Sequence, residues 1–152
     1  MLLFCNRHLS GLAVQILLVH PLSCSFRWLS ASLPVRFIKS IHGVGNIVNV
    51  PLIPNSGSVE FRQAYENLIL PALREFKPDF LMISAGFDAH ARDPLCQLNL
   101  ATEDFAWITK ELMGVANECC DGKVVSTLEG GYDMQALSDS VAAHVRVLMN
   151  YV

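Results

Sequence analysis

Apolar and polar positions alternate without a clear period through the first 40 residues, and the pattern becomes regular only from about residue 46. "NIVNVPL" (Asn46 to Leu52) is short and β-branched, which predicts a strand. "IPNSGS" comes next as a turn cluster. From Ser58 to Phe76 the apolar positions Phe61, Tyr65, Leu68, Ile69, Ala72, Leu73 and Phe76 keep helical spacing. Pro71 lies inside that run and predicts a kink or an interruption, because proline has no N–H to donate and crowds the preceding turn. A fully apolar strand, Phe80 to Ser84, is next.

The unit then repeats. Thr102 is placed to cap a helix whose first turn carries Glu103 and Asp104, the charge that suits that end of the helix dipole. Phe105, Ile108, Leu112, Val115, Ala116 and Cys119 form its apolar stripe. "KVVSTLEGGY" (Lys123 to Tyr132) predicts a strand that ends in a glycine turn. Asp133 is placed to cap a last helix, with Leu137, Val141, Val145 and Leu148 inward. His144 lies near that stripe and reads as a packed or partly exposed helix histidine rather than a ligand. Strand, loop, helix, strand, loop, helix predicts an α/β fold, a parallel sheet flanked by helices. In such folds ligands bind beyond the carboxyl ends of the strands. Both unusual loops, "GFDAHARDPL" and "EGGY", fall there.

Composition narrows the field. The chain has 152 residues, one domain's worth, with 52% hydrophobic and 16% charged residues and a net charge of -3. No cluster of Lys and Arg offers the phosphate neutralisation that nucleic-acid binding needs. The five cysteines include no CxxC pair and are odd in number, which suits a reducing compartment and a cytoplasmic location. Charge is uneven: the first acidic residue is Glu60, and residues 1–40 contain Arg7, Arg27, Arg36 and Lys39 with no acid. An organellar transit peptide fits that bias. The apolar run Leu9 to Val19 resembles a short signal-peptide core and falls below the roughly 20 residues of a membrane span. The preferred reading is a leader, residues 1–40, not native to the domain, with residues 41–152 as the structured part. It lacks both an amphipathic pattern and a small-residue cleavage site.

Asp88, just past a buried strand, is suited to bind a divalent metal, although spacing alone favours a cap on the following turn. Gly130 and Gly131 permit a close backbone approach to a ligand, or simply a tight strand-to-helix turn. Tyr132 can donate to a polarised oxygen, or pack at the sheet edge. Taken together, "SAGFDAHARDPL", "NL", "TEDF", "LEGGYDMQAL" and "SVAAHV" resemble the C-terminal part of the histone deacetylase superfamily, nearest the bacterial and class II-like branch with the acetylpolyamine amidohydrolases. "HGVGNIVNVPL" (His42 to Leu52) carries two residues more than that family's usual spelling. The likeness covers roughly residues 42–149.

The resemblance implies an arginase-deacetylase fold and a zinc-dependent amidohydrolase that removes acetyl groups from lysine or polyamine amides. It implies Asp88 as a zinc ligand and Tyr132 as the phenol that polarises the acetyl carbonyl. It points to Leu95 in the acyl channel, with Gly130 and Gly131 beside it. His90 comes two residues after Asp88, like an Asp-x-His zinc pair of the family, but in the "GFDAH" context it reads as a supporting or structural side chain. The family's Asp-x-His loop and His-His acid/base pair belong upstream of "NIVNVPL", and nothing in residues 1–40 matches them. The chain is therefore expected to be a C-terminal part, inactive alone, with an uncovered sheet edge that favours self-association. The alternatives are a non-catalytic remnant or interaction module, and an arginase-like ureohydrolase. "DAHARD" resembles a manganese loop, but Arg92 breaks its spacing. Nucleotide binding finds no GxGxxG after a strand.

Overall fold

The computed structural model describes residues 2–6, 13–17, 47–50 and 52–150. Among the described residues five strands form one sheet: β1 (Leu2–Asn6), β2 (Ala13–Leu17), β3 (Ile47–Asn49), β4 (Phe80–Ala85) and β5 (Val124–Leu128), in the order β3-β2-β1-β4-β5. Parallel pairing, as expected of the two motif strands, joins β4 to β5 in the register Leu81↔Val124 through Ala85↔Leu128. It also joins β2 to β3. β1 lies antiparallel to both of its neighbours, so the sheet as a whole is mixed. The two short N-terminal strands carry no periodic pattern to read. They occupy the side of β4 that β5 leaves free.

One face of β4 and β5 is covered. Leu81 and Ile83 are fully buried and join a core with Phe61, Tyr65, Leu73, Phe105, Ile108 and Leu112. On the other face Met82 and its neighbour in register, Val125, are exposed. The helices of the covered face are α1 (Ser58–Ala64), α2 (Leu70–Phe76), α3 (Thr102–Cys120) and α4 (Met134–Asn150).

Between α1 and α2 the backbone widens into a π turn, Tyr65–Ile69, in which the Leu70 N–H donates to the Tyr65 carbonyl. Pro71 accounts for it. Its ring cannot donate to the carbonyl four residues back, and the widened turn relieves the clash. The helix thus continues through the proline with Tyr65, Ile69, Leu70 and Leu73 all buried. It stops at Lys77, whose φ of 52° is left-handed and whose N–H returns to Leu73. Pro78 is the next residue.

Helix α3 begins one residue earlier than the sequence pattern suggests. Ala101 is the cap, and Thr102 is the first helical residue. Asp104 reaches back to accept the Ala101 N–H at 2.9 Å. Its carboxylate is wholly buried, and also accepts from Ser58 Oγ at 2.6 Å and from Arg62 through both Nε and Nη2. Four donors offset the cost of burying the charge, and they lock α1 to α3.

Helix α4 is capped by Asp133 as expected, its Oδ1 accepting the Ala136 N–H at 2.8 Å. The buried line is Ala136, Ser140 and His144, one residue round from the expected Leu137, Val141, Val145 and Leu148. Leu137 and Val141 pack at the core margin, and Val145 is exposed. Hydrogen bonding explains the rotation. Thr109 Oγ1 donates to the Phe105 carbonyl, so it accepts from His144 Nδ1–H at 2.7 Å. His144 Nε2 then accepts from Ser126 Oγ at 2.9 Å. One ring joins α3, α4 and β5, and burial holds its pKa below the ordinary histidine value.

Candidate active site

Because β4 and β5 run in the same direction, the loops after them leave from one end of the sheet. The ladder carries on into those loops. Glu129 N–H donates to the Ala85 carbonyl at 3.0 Å, and Phe87 N–H donates to the Gly130 carbonyl at 2.7 Å. This fixes Asp88 opposite Gly130.

The half-buried Asp88 carboxylate is bracketed by glycines. A Cβ added at Gly86 would lie 3.0 Å from Asp88 Oδ1. One added at Gly130 would lie 3.1 Å from Asp88 Cγ and 3.3 Å from each of its oxygens. Two backbone segments therefore approach the carboxylate in a way that larger residues would obstruct. Gly131 has a φ of 140°, where a side chain is strained, and its missing Cβ would meet Leu137 Cδ1 at 2.7 Å. Both glycines singled out in the sequence thus stand at close approaches, Gly130 to Asp88 and Gly131 to Leu137.

The second tie is Asp93, which no sequence pattern singles out. Its Oδ1 accepts from Leu95 N–H at 2.9 Å and Cys96 N–H at 3.3 Å, within its own loop. Its Oδ2 accepts from Tyr132 N–H at 2.7 Å, in the loop after β5. The residue is 8% exposed. The Asp-Pro pair at 93–94 is the one local signal, marking a turn. The partner 39 positions away leaves no trace in local sequence. Outside this pair, Arg92 Nη2 meets Asp133 Oδ1 at 3.1 Å. Asp133 sits below the usual carboxylate range, chiefly through the Ala136 N–H, with Arg92 adding to it.

His90 is engaged within its own loop and with α3. Its Nδ1 accepts the Arg92 N–H at 3.1 Å, its Nε2 lies 3.4 Å from Thr102 Oγ1, and its ring stacks on Phe105. It anchors the Asp88 loop to the start of α3. Tyr132 is 57% exposed and Leu95 is 63% exposed, so both side chains stand at the open end of the sheet. Among the described residues no group of three or more His, Cys, Asp and Glu side chains is placed to hold a metal ion. Asp88 offers oxygen ligation alone, whereas a catalytic zinc site takes about three protein ligands.

The sequence matches the histone deacetylase domain family over residues 34–148. It is 41% identical over 107 residues to histone deacetylase 14, chloroplastic, of Arabidopsis thaliana, covering 70% of this chain and 25% of that protein. It is 38% identical over 90 residues to the histone deacetylase-like amidohydrolase of Pseudomonas aeruginosa, covering 59% of this chain and 24% of that protein. The chain thus spans about a quarter of the length of these curated relatives. Among solved structures, the HDA15 HD domain superposes with a TM-score of 0.67 at 34% identity, covering 76% of this chain and 32% of that one. The histone deacetylase Clr3 superposes with a TM-score of 0.66 at 36% identity, covering 71% and 18%. With the motif strands, the glycine-bracketed aspartate and the tyrosine loop in the arrangement expected of an arginase-deacetylase sheet, the chain belongs to the histone deacetylase family.

Proposed function

We propose that this chain carries the C-terminal part of a zinc-dependent deacetylase site acting on acetyl-lysine or acetyl-polyamine amides. Asp88 contributes one zinc ligand. Tyr132 donates its phenol O–H to the acetyl carbonyl and to the oxyanion that develops from it. Leu95 lines the passage for the acylated chain, beside Gly130 and Gly131. When bound, zinc supplies Lewis acidity and lowers the pKa of its water. The observation that carries this reading is the parallel β4–β5 ladder, which runs on through Phe87 and Gly130 and faces Asp88 with two glycines.

The 152 residues alone are proposed to be inactive. Of the five histidines, His90 is engaged with Arg92 and Thr102, His144 is buried between Thr109 and Ser126, and no two are adjacent in sequence. General acid/base transfer at neutral pH needs such a group within reach. The ureohydrolase alternative falls with the family assignment. A cytoplasmic location is kept as a proposal beside the organellar one, which gains weight from the chloroplastic relatives of Arabidopsis thaliana and Oryza sativa. No described helix is long and apolar enough to cross a membrane.

The test is a graft. Residues 47–149 replace the matching segment of the Pseudomonas aeruginosa relative, and zinc content and hydrolysis of an acetyl-lysine peptide and an acetylated polyamine are measured. The graft should turn over. Asp88→Ala should lower its zinc content. Tyr132→Phe should keep the zinc and lose roughly 10²–10³ in kcat. The 152-residue chain should show no turnover that Asp88→Ala abolishes. Zinc retained in full by the Asp88→Ala graft would sink the ligand assignment. A folded, zinc-loaded but inert graft would favour a non-catalytic interaction module.

A further inference from the structure

Asp93 lies between the two loops that hold the proposed ligand and the proposed phenol. Three backbone N–H groups converge on its buried carboxylate. Leu95 and Cys96 donate to Oδ1, and Tyr132 donates to Oδ2 at 2.7 Å. A charged acceptor that is shielded from water makes short, strong bonds of this kind. The bond to Tyr132 is the one that crosses between loops. Its counterpart, from Phe87 N–H to the Gly130 carbonyl, holds the loop base but not the residue that carries the phenol.

Beyond that base the Tyr132 side chain has little around it. Gly131 adopts a φ of 140°, and the Tyr132 side chain is more than half exposed, so few packing contacts set the position of the ring. One residue on, Asp133 caps α4 and is tied to the same loop by the exposed Arg92, a second and more solvent-screened crossing that does not reach the Tyr132 backbone. Stabilising a developing oxyanion requires a donor within about 2.7–3.1 Å of where the charge appears. A misplacement of about 1 Å costs roughly 10²-fold. A backbone tether one residue past a conformationally permissive glycine meets that need.

We infer that Asp93 is a positioning residue for the proposed reaction, holding the Tyr132 backbone at a fixed distance from the Asp88 loop through one shared carboxylate. This rests on the function proposed above, but its test uses no activity and so stands or falls separately. In Asp93→Asn one oxygen remains. The local bonds to Leu95 and Cys96 keep it, and the amide NH2 is left facing the Tyr132 N–H, donor against donor.

The experiment is NMR on the full 152-residue chain. Amide exchange of Tyr132 should speed up at least tenfold in Asp93→Asn, with the amides of Leu95 and Cys96 within about twofold of wild type. With 3-fluorotyrosine incorporated, the Tyr132 fluorine signal should move toward that of a free, mobile ring while that of the core residue Tyr65 stays put. A merely structural aspartate would shift all three amides and the Tyr65 signal together, which would overturn the inference. So would a Tyr132 amide as protected in the variant as in wild type. If the variant does not fold, the wild-type chain decides: a scalar coupling across the hydrogen bond, from Tyr132 nitrogen to Asp93 Cγ, supports the tether, and its absence refutes it.

Discussion

Tyr65→Phe should stabilise the chain. Tyr65 is 0% exposed, its ring 4.9 Å from that of Phe61 and 6.4 Å from that of Trp107, and its hydroxyl has no hydrogen-bond partner among the described residues. Ordinary helical spacing from Phe61 puts Tyr65 on the core side, and the widened turn that starts there keeps Ile69 and Leu70 buried beyond it. A buried hydroxyl without a partner costs about 1–3 kcal/mol. Removing the oxygen leaves the ring contacts and opens a void of about 10 Å³, worth about 0.2 kcal/mol at the usual cavity coefficient. The net gain is about 1–2.5 kcal/mol, or roughly 3–8 °C in Tm for a chain of this size. Chemical denaturation and thermal melts followed by circular dichroism measure it directly. An ultraviolet titration gives a second reading, because burial pushes the Tyr65 phenol above its ordinary pKa. One of the chain's three tyrosines should resist ionisation until alkaline unfolding, and Tyr65→Phe should remove that late step. A loss of about 1 kcal/mol in the variant would show that the hydroxyl is bonded and the reasoning mistaken.

The remaining predictions concern the other buried polar groups, the glycine turn and the sheet edge. Burial lowers the folded pKa of His144, so the unfolded chain binds the extra proton first. Stability should therefore fall as pH drops below about 6.5 and level off once the folded form also protonates, with a slope of up to about 1.4 kcal/mol per pH unit that His144→Gln removes, as urea midpoints from about pH 7.5 to 5 will show. Gly131→Ala should cost about 1–3 kcal/mol, because φ is 140° and the new Cβ would meet Leu137 Cδ1 at 2.7 Å; an unchanged Tm would contradict this. Asp104→Asn should cost about 3 kcal/mol, since an amide cannot accept from Ser58, Arg62 and Ala101 together, and a loss under about 1 kcal/mol would count against the buried pair. β5 forms one edge of the described sheet with no charge between Val124 and Leu128, so Thr127→Lys should reduce self-association in size-exclusion chromatography with light scattering.

Local chemistry is legible in the sequence where it is strong. Pro71 announces an irregularity in the first long helix, which the structure resolves as a widened turn rather than an interruption, and Asp133 announces the start of the last. The two apolar strands are legible as well, along with the placement of both unusual loops beyond their carboxyl ends. The illegible features depend on partners far along the chain. A pattern of Leu and Val puts the inward face of α4 one residue off, because it ignores Ser140 and His144. The histidine is buried only because α3 and β5 supply a hydroxyl each for it. Asp104 reads as a dipole-complementing acid. Its real task needs Ser58 and Arg62, more than 40 positions upstream. The site obeys the same rule. Asp88, Gly130, Gly131 and Tyr132 can be picked out by their local spelling. Asp93 cannot, since its cross-loop bond exists only once two parallel strands have been brought together. The short strands β1 and β2 have no pattern to read at all.

The parallel pairing of β4 with β5 also governs the order in which the molecule can assemble. An antiparallel pair could zip from a short turn, but these strands are separated by residues 86–123, 38 in all. Closing a flexible loop of that length costs on the order of 3 kcal/mol before any ladder bond is made. Helix α3, 19 residues long, can form from local contacts beforehand and shorten the flexible remainder by half, which recovers roughly 0.6 kcal/mol. Until closure, Asp88 and Tyr132 are strangers at opposite ends of a coil. Afterwards the two loops that carry them lie side by side. The same long closure makes this slow-folding topology dwell with its strand edges exposed, so the yield of refolded chain is decided by competition between that closure and pairing with other molecules.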